Sequence, residues 1–427
     1  MIPSLLLAGH LAMAAPQSLT GQALLDDLSK KSVQYFWDQS HPKTGFTRDR
    51  AANEGTQGPN NVSSIAATGY ALSAYAIGAQ RGWLNRDEAR KRVITTITSV
   101  LNLHSGKNGW YYHFVDWQTG QRVWNCEVSS IDSAIFFAGL TVAERGFNDP
   151  KISKLAEQVF SRVNWNWMLT DGGAQPNSLY FNHGWKPEGF LNYRWSGFCE
   201  MLFLYILAYG HHPTMPQGSW NAFARPLVTY NTTELLAGGP LFMHQMTQGF
   251  YDLKEYRDEL GYDYFVEGRN ATLANRQYCL NNPLGFTGYG SNIWGLSACD
   301  IPGGYGAQGA PGWISDNGTL APAAAVASVI YTRTLSIRAA EAYLQNYPAS
   351  YGRYGFTTGL NPSQNWRSPD VIGIDLGQMM LNIENARDGI VYKWTMGNPK
   401  TRTAYDKIKL RRTAEGVWET RPLRLTN

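Results

Sequence analysis

Residues 198–209 read FCEMLFLYILAY, and Glu200 is the only charged residue among them. A helix that is apolar on nearly every side has no solvent face, so the fold must bury it between other elements. The spacing predicts a helix over 192–209 with Glu200 inside it. An unpaired carboxylate is costly in such surroundings. It must be partnered, kept neutral by a raised pKa, or placed on a cavity wall. One reading is structural: a pair with Arg194 in the preceding turn, or a cap on a neighbouring helix. The other is catalytic: a general acid facing a sugar-binding cleft, held protonated by its apolar setting.

Helical periodicity recurs along the rest of the chain. It covers 19–40, 62–82, a stretch opening at Asn85, then 127–145, 150–169, 219–230, 270–281, 322–349, 373–386 and a short terminal piece. Thr20 or Ser18 can cap the first helix, and Gly82 is a stop signal for the second. The segment 108–125 alternates around Thr119 and Gly120 and reads as a hairpin, and 178–187 (SLYFNHGWKP) reads as another. No strand–helix–strand alternation occurs, and no glycine-rich nucleotide pattern opens a helix. Some helices are apolar all round and others amphipathic, which suits an inner ring inside a half-solvated outer ring. The expected class is all-α, an (α/α)6 barrel in one domain over 19–405, with short β-hairpins and long aromatic and Gly-rich loops at the cleft. An extended solenoid would show a fixed repeat, and none is visible.

Charged residues are only 16% of the chain, while Trp and Tyr number 15 and 24. That composition fits sugar recognition by stacking, and equally an aromatic-rich core. The net charge is +4, with no basic stripe interleaved with aromatics, so nucleic-acid binding has no support. The run KIKLRR sits in a tail, 406–427, that reads as a solvated end. Residues 1–14 carry a short apolar core ending in Ala12-Met13-Ala14 and read as a signal peptide, implying an exported protein. No stretch reaches the roughly 20 apolar residues that span a bilayer. Cys126, Cys199, Cys279 and Cys299 form no CxxC pair and have no His at zinc-ligand spacing, so neither a metal nor another cofactor is expected. A monomer is expected.

Isolated acids next to chain breaks and aromatics are the remaining signal. Glu127 and Asp132 lie in WNCEVSSIDSAIFFAG, at a helix start, where a carboxylate can also be a simple cap. Asp300 lies in WGLSACDIPGGYGAQGAPGW, among Trp294, Tyr305, Trp313 and many glycines that allow close backbone approach to a ligand. Asp375 and Glu384 lie in GIDLGQMMLNIEN. GxSxG and HExxH are both absent, which lowers esterase and zinc-protease readings. Several carboxylates among aromatic loops on a helical ring point to glycoside hydrolysis, which needs one protonated acid and one ionised partner.

In order along the chain, GFTRDR (45–50), CEVSSIDSAIFFAG, GFLNYRWSGFCEMLFLYILA, WGLSACDIPGGYGAQGAP, YGRYGF (351–356) and GIDLGQMMLNIEN resemble the glycoamylase-like domain family, which includes bacterial endo-β-1,2-glucanases. The resemblance covers roughly 19–403. It implies an (α/α)6 barrel and metal-free, anomer-inverting hydrolysis of β-1,2-linked glucose chains. By position, Glu200 matches the candidate general acid, Asp132 and Glu127 an acidic pair on the preceding inner helix, and Asp300 and Asp375 acids of the loop and late-helix motifs. The resemblance does not single out the base. Arg48, Asp49, Arg50, Arg194, Trp294, Tyr305 and Trp313 are expected to contact sugar. The cysteines at 126, 199 and 299 depart from the family pattern. Two alternatives stand: a helical-barrel hydrolase acting on another glycan, and a glucan-binding protein that has lost catalysis.

Overall fold

A computed structural model describes residues 19–56, 60–311 and 315–413, so the leader-like 1–14 and Trp313 lie outside the described residues. Helix α1 is Gly21–Asp38, α2 Ile65–Gln80, α3 Arg86–Asn102, α4 Ser130–Phe147 and α5 Pro150–Arg162. Next come α6 Trp165–Leu169, α7 Leu202–His211, α8 Ser219–Ala222, α9 Phe242–Phe250 and α10 Tyr264–Asn281. The last are α11 Pro322–Ala327, α12 Arg333–Asn346, α13 Gly373–Asp388, α14 Ile390–Met396 and α15 Pro399–Ile408. The strands are short and pair mostly in twos.

Burial sorts the helices as their apolar patterns predict. In α2 and α7 nearly every residue is buried. In α5 only Ile152, Ala156 and Val159 are, at the spacing of a single helical stripe. The buried helices touch in a circuit. α2 packs on α4, α4 on α7, α7 on α9, and α13 on α11 and back on α2. Between α9 and α11 the link is polar: the Gln245 amide donates to Ala324 O at 2.8 Å and to Ser328 Oγ at 2.7 Å. Helices α1, α3, α5, α10 and α12 lie outside, each against a member of the circuit or another outer helix.

The α2–α4 crossing is the closest of these contacts. A Cβ on Gly139 would lie 2.0 Å from Gly69 O, and one on Gly69 only 2.5 Å from Phe136 Cα, so both positions need a bare backbone. Gly139→Ala is expected to destabilise the protein by about 2–3 kcal/mol through overpacking, measurable as a lower urea midpoint at unchanged slope.

Three expectations need correcting. Residues 192–201 are not helical, because their backbone pairs elsewhere. Trp195 N–H donates to Phe181 O and Phe198 N–H to Ala224 O, displacing the helical ladder until Leu202. Glu200 therefore stands just before α7. The expected helix 219–230 stops after one turn at α8. Pro226 cannot continue it, and Leu227–Tyr230 pairs instead with Thr233–Leu236. Nor does the folded chain end at 405. Ile408 and Leu410 are buried, Lys407 Nζ donates to Tyr209 O, and Arg411–Arg412 pairs with Tyr256–Arg257. The basic run is thus docked, not a free tail.

Within 108–125 the turn forms as predicted, with Asp116 Oδ1 accepting from the N–H groups of Gln118 and Thr119. Its strands, however, recruit partners beyond the hairpin: Phe114–Asp116 pairs with Val62–Ser64, and Trp110–Tyr111 with Gly106–Lys107. The four cysteines are free thiols, and no described helix is long and apolar enough to cross a membrane.

Candidate active site

Three of the predicted acids stand at the N-terminal ends of circuit helices. Asp132 lies in the first turn of α4, Asp375 in the first turn of α13, and Glu200 just ahead of α7. Helix N-termini carry unpaired N–H groups and a positive dipole end, which makes them suitable mounts for carboxylates. Asp49 and Arg50 enter where 50–52 pairs with 370–372. Asp300 comes from a hairpin in which 298–301 pairs with 304–307 around a turn that holds Gly303 at φ +91°. The Gly-rich stretch is therefore partly a built strand pair.

A histidine joins one half of the site. His113 Nδ1 lies 3.1 Å from Glu127 Oε1, and Nε2 lies 3.5 Å from Asp132 Oδ1. Burial disfavours the imidazolium, but Asp132, Glu127 and Asp49 together outweigh it and raise the group to about 9. His113 is thus a cation at neutral pH, and its hydrogen bond holds the Glu127 carboxyl below the ordinary range. Asp132 is buried, and its other oxygen accepts from Ser129 Oγ at 2.5 Å. The ligand atoms of these three residues lie within 4.8 Å of one another, a donor set that a divalent cation could use once His113 loses its proton.

Arg50 organises the other half. Its guanidinium lies 3.1 Å from Asp300, 3.5 Å from Asp49 and 3.8 Å from Asp370. Asp300 also accepts from Ser368 Oγ at 2.8 Å, so both of its oxygens are engaged. Burial pushes Asp49 and Asp370 upward, with Arg50 opposing in each case.

Two carboxyls differ from the rest. Glu200 is partly exposed, and burial, with a smaller push from Asp132, raises it to about 7. Asp375 is also partly exposed, and burial, assisted by Asp300 and Asp49, raises it to about 7 against a 2.6 Å hydrogen bond from Thr358 Oγ1. Near pH 7 each therefore exists as a mixture of acid and base, the condition under which a carboxyl can either give or take a proton in catalysis. Beneath them Tyr70 is fully buried, its hydroxyl has no hydrogen-bond partner, and it senses the charges of Asp375 and Asp132.

Glu200, Asp132, Glu127, Asp49, Arg50, Asp300 and Asp375 are therefore neighbours, and Tyr305, directly opposite Asp300 in its hairpin, is 55% exposed beside them. Other candidates are engaged elsewhere. Arg194 is bound to Asp171, the Ser178 hydroxyl and the carbonyls of Leu169 and Tyr180, where it locks the 169–180 turn and does not pair with Glu200. Trp294 is fully enclosed in the core and offers no face to a ligand. Arg48 stacks 3.6 Å over Trp117 and donates to Asn60 O and Gln39, which makes it a support for this loop. Glu384 is buried and paired with Arg81, Arg387 and Ser29. Sequence reasoning missed His113, Thr358, Ser368 and Tyr70. Nothing local ties His113 to acids 14 and 19 positions later, and only the pairing of 114–116 with 62–64 and the 112–128 bridge brings them together.

Residues 192–399 match the Glycoamylase family model. A curated relative from Parabacteroides distasonis, an exo β-1,2-glucooligosaccharide sophorohydrolase (non-reducing end), is 28% identical over 437 aligned residues, covering 93% of this chain. The chain spans 59% of that relative's length. A β-1,2-glucanase structure from Parabacteroides distasonis superposes with a TM-score of 0.84 at 26% identity, over 92% of this chain and 61% of its own. The endo-β-1,2-glucanase of Chitinophaga pinensis, in complex with sophorotriose and glucose, has the same fold. It superposes with a TM-score of 0.83 at 24% identity, over 93% of this chain and 99% of its own. The chain is thus similar to the glycoamylase family over residues 192–399 and shares the fold of these β-1,2-glucanase structures over nearly its whole length.

Proposed function

We propose that this chain is an inverting glycoside hydrolase acting on β-1,2-linked glucose chains, built as a closed (α/α)6 barrel with its cleft over the N-terminal ends of the inner helices. The observation that carries the reading is the pair of partly exposed carboxyls, Glu200 and Asp375, both held near 7 within a row whose other acids are paired with Arg50 or His113. The names of the relatives supply the substrate class. Circuit packing of α2, α4, α7, α9, α11 and α13 supports the barrel.

In this mechanism Glu200 acts as general acid. Its proton passes to the glycosidic oxygen as the bond to C1 breaks. A water molecule attacks C1 from the opposite face and gives its proton to Asp375, directly or through a hydroxyl or water chain. Glu200 ends ionised and Asp375 protonated, and exchange with solvent resets both. Asp375 is assigned as base because each rival is paired with a cationic side chain, Asp300 and Asp49 with Arg50 and Glu127 and Asp132 with His113, whereas the partner of Asp375 is the neutral Thr358 hydroxyl.

The acid must carry its proton, so kcat/KM falls as pH rises through about 7. The base must have lost its proton, so kcat/KM also falls as pH drops through about 7. A narrow bell centred near neutrality is expected, belonging to the coupled pair. The test is incubation with linear β-1,2-glucan, starch and β-1,3- and β-1,4-glucans, following reducing ends across pH. Release from β-1,2-glucan alone is expected. Release only from another glucan would replace the substrate assignment, and none at any pH would overturn the reading.

A further inference from the structure

Only three described aromatic side chains are strongly exposed, Trp124 (69%), Tyr193 (70%) and Tyr305 (55%), and ring contacts or strand pairing link each toward the acid row. Tyr305 marks the Asp300 end. The other two connect toward Glu127 through the rings of His113 and His183. Trp124 rests against Phe114 with ring centroids 5.2 Å apart, and Phe114 stacks at 3.8 Å on His113, the partner of Glu127. Tyr193 lies 6.1 Å from His183, which stacks at 3.7 Å on Trp195. The backbone joins these parts into one short ladder. His113 N–H donates to Glu127 O, Val128–Ser129 pairs with Gly184–Trp185, and His183 N–H donates to Tyr193 O.

Trp124 and Asn125 both hold a positive φ, at +58° and +52°. That backbone is uncommon for a bulky residue and persists where the surroundings enforce it. An exposed indole and phenol, each backed by an imidazole assembly whose histidine interacts with Glu127, match the two faces of a sugar ring. Its C–H face stacks on an aromatic ring and its hydroxyls donate to acids.

We propose that Trp124 and Tyr193 are stacking platforms for glucosyl units beyond the bond being cut, at the Glu127 end of the row. The cleft thereby grips a chain longer than a disaccharide. This rests on the β-1,2-glucan reading above.

The test uses the full chain carrying Glu200→Gln, so that substrate is bound without turnover. Calorimetric titration with linear β-1,2-glucooligosaccharides of two to about seven units is repeated after adding Trp124→Ala, Tyr193→Ala or Trp124→Phe. Each alanine variant is expected to weaken binding of the longest oligosaccharide about tenfold, a typical size for one stacked ring. Disaccharide affinity should stay within twofold, and Trp124→Phe should recover most of the loss. Unchanged long-chain affinity in both alanine variants would overturn the proposal while leaving the glucan reading intact. Absence of binding by the parent at every length would overturn both.

Discussion

Glu200→Gln is expected to lower kcat on β-1,2-glucan by about 10³-fold, within the range general acids contribute, while oligosaccharide binding persists. The same substitution should make the folded protein more stable above pH 7. The sign follows from the direction of the shift. Burial raises Glu200 from 4.5 to about 7 in the folded chain, so the fold holds this proton more tightly than the unfolded chain does. Folding free energy is then lost as pH rises through 7 and the carboxylate ionises in place. Glutamine has no charge to form there. The variant should gain about 1–3 kcal/mol over the parent at pH 8, and the gap should close by about pH 4, where both states of the parent are protonated. Denaturant melts at the two pH values read this directly. An inactive variant without the alkaline gain would mean that Glu200 is not held protonated by its setting.

Arg50→Met should do the opposite. Arg50 faces Asp49, Asp300 and Asp370, and Met keeps its bulk while removing the charge. Removing one partner of a largely buried ion cluster strands the others. With Arg50 one-third exposed, a loss of about 2–4 kcal/mol at pH 7 is expected. Arg50 opposes the upward push of burial on Asp49 and Asp370, so those carboxyls should rise further without it. The deficit should therefore shrink as pH falls and they take up protons. Activity should fall beyond the stability effect, because Arg50 ties the hairpin carrying Asp300 and Tyr305 to its own strand, 50–52, which Asp49 directly precedes. Equal midpoints at pH 7 for parent and variant would contradict this role.

These two residues also show what the sequence could and could not convey. Glu200 was conspicuous because one charge in an apolar run has few explanations, and it stands partly exposed just ahead of α7, within the influence of Asp132. Its helix begins later than periodicity predicted, since apolarity marks burial but cannot tell a helix from an extended segment paired to 181–183 and 224. Asp132, Asp300 and Asp375 were found by their motifs, and the structure makes them neighbours. Arg194 and Trp294 lie inside the motifs that carry the resemblance, and tertiary packing engages both elsewhere: one with Asp171, the other in the core. His113 was invisible for the converse reason. It sits in an ordinary alternating strand, and its role comes wholly from pairings between distant segments.

The central claim, that Glu200 and Asp375 act on opposite faces of a β-1,2-glucosidic bond, is tested most directly by the configuration of the first-formed product. Proton NMR of β-1,2-glucan digestion, recorded before mutarotation, should show α-configured reducing ends with the parent chain and none with Asp375→Asn. β-Configured ends appearing first would contradict the account.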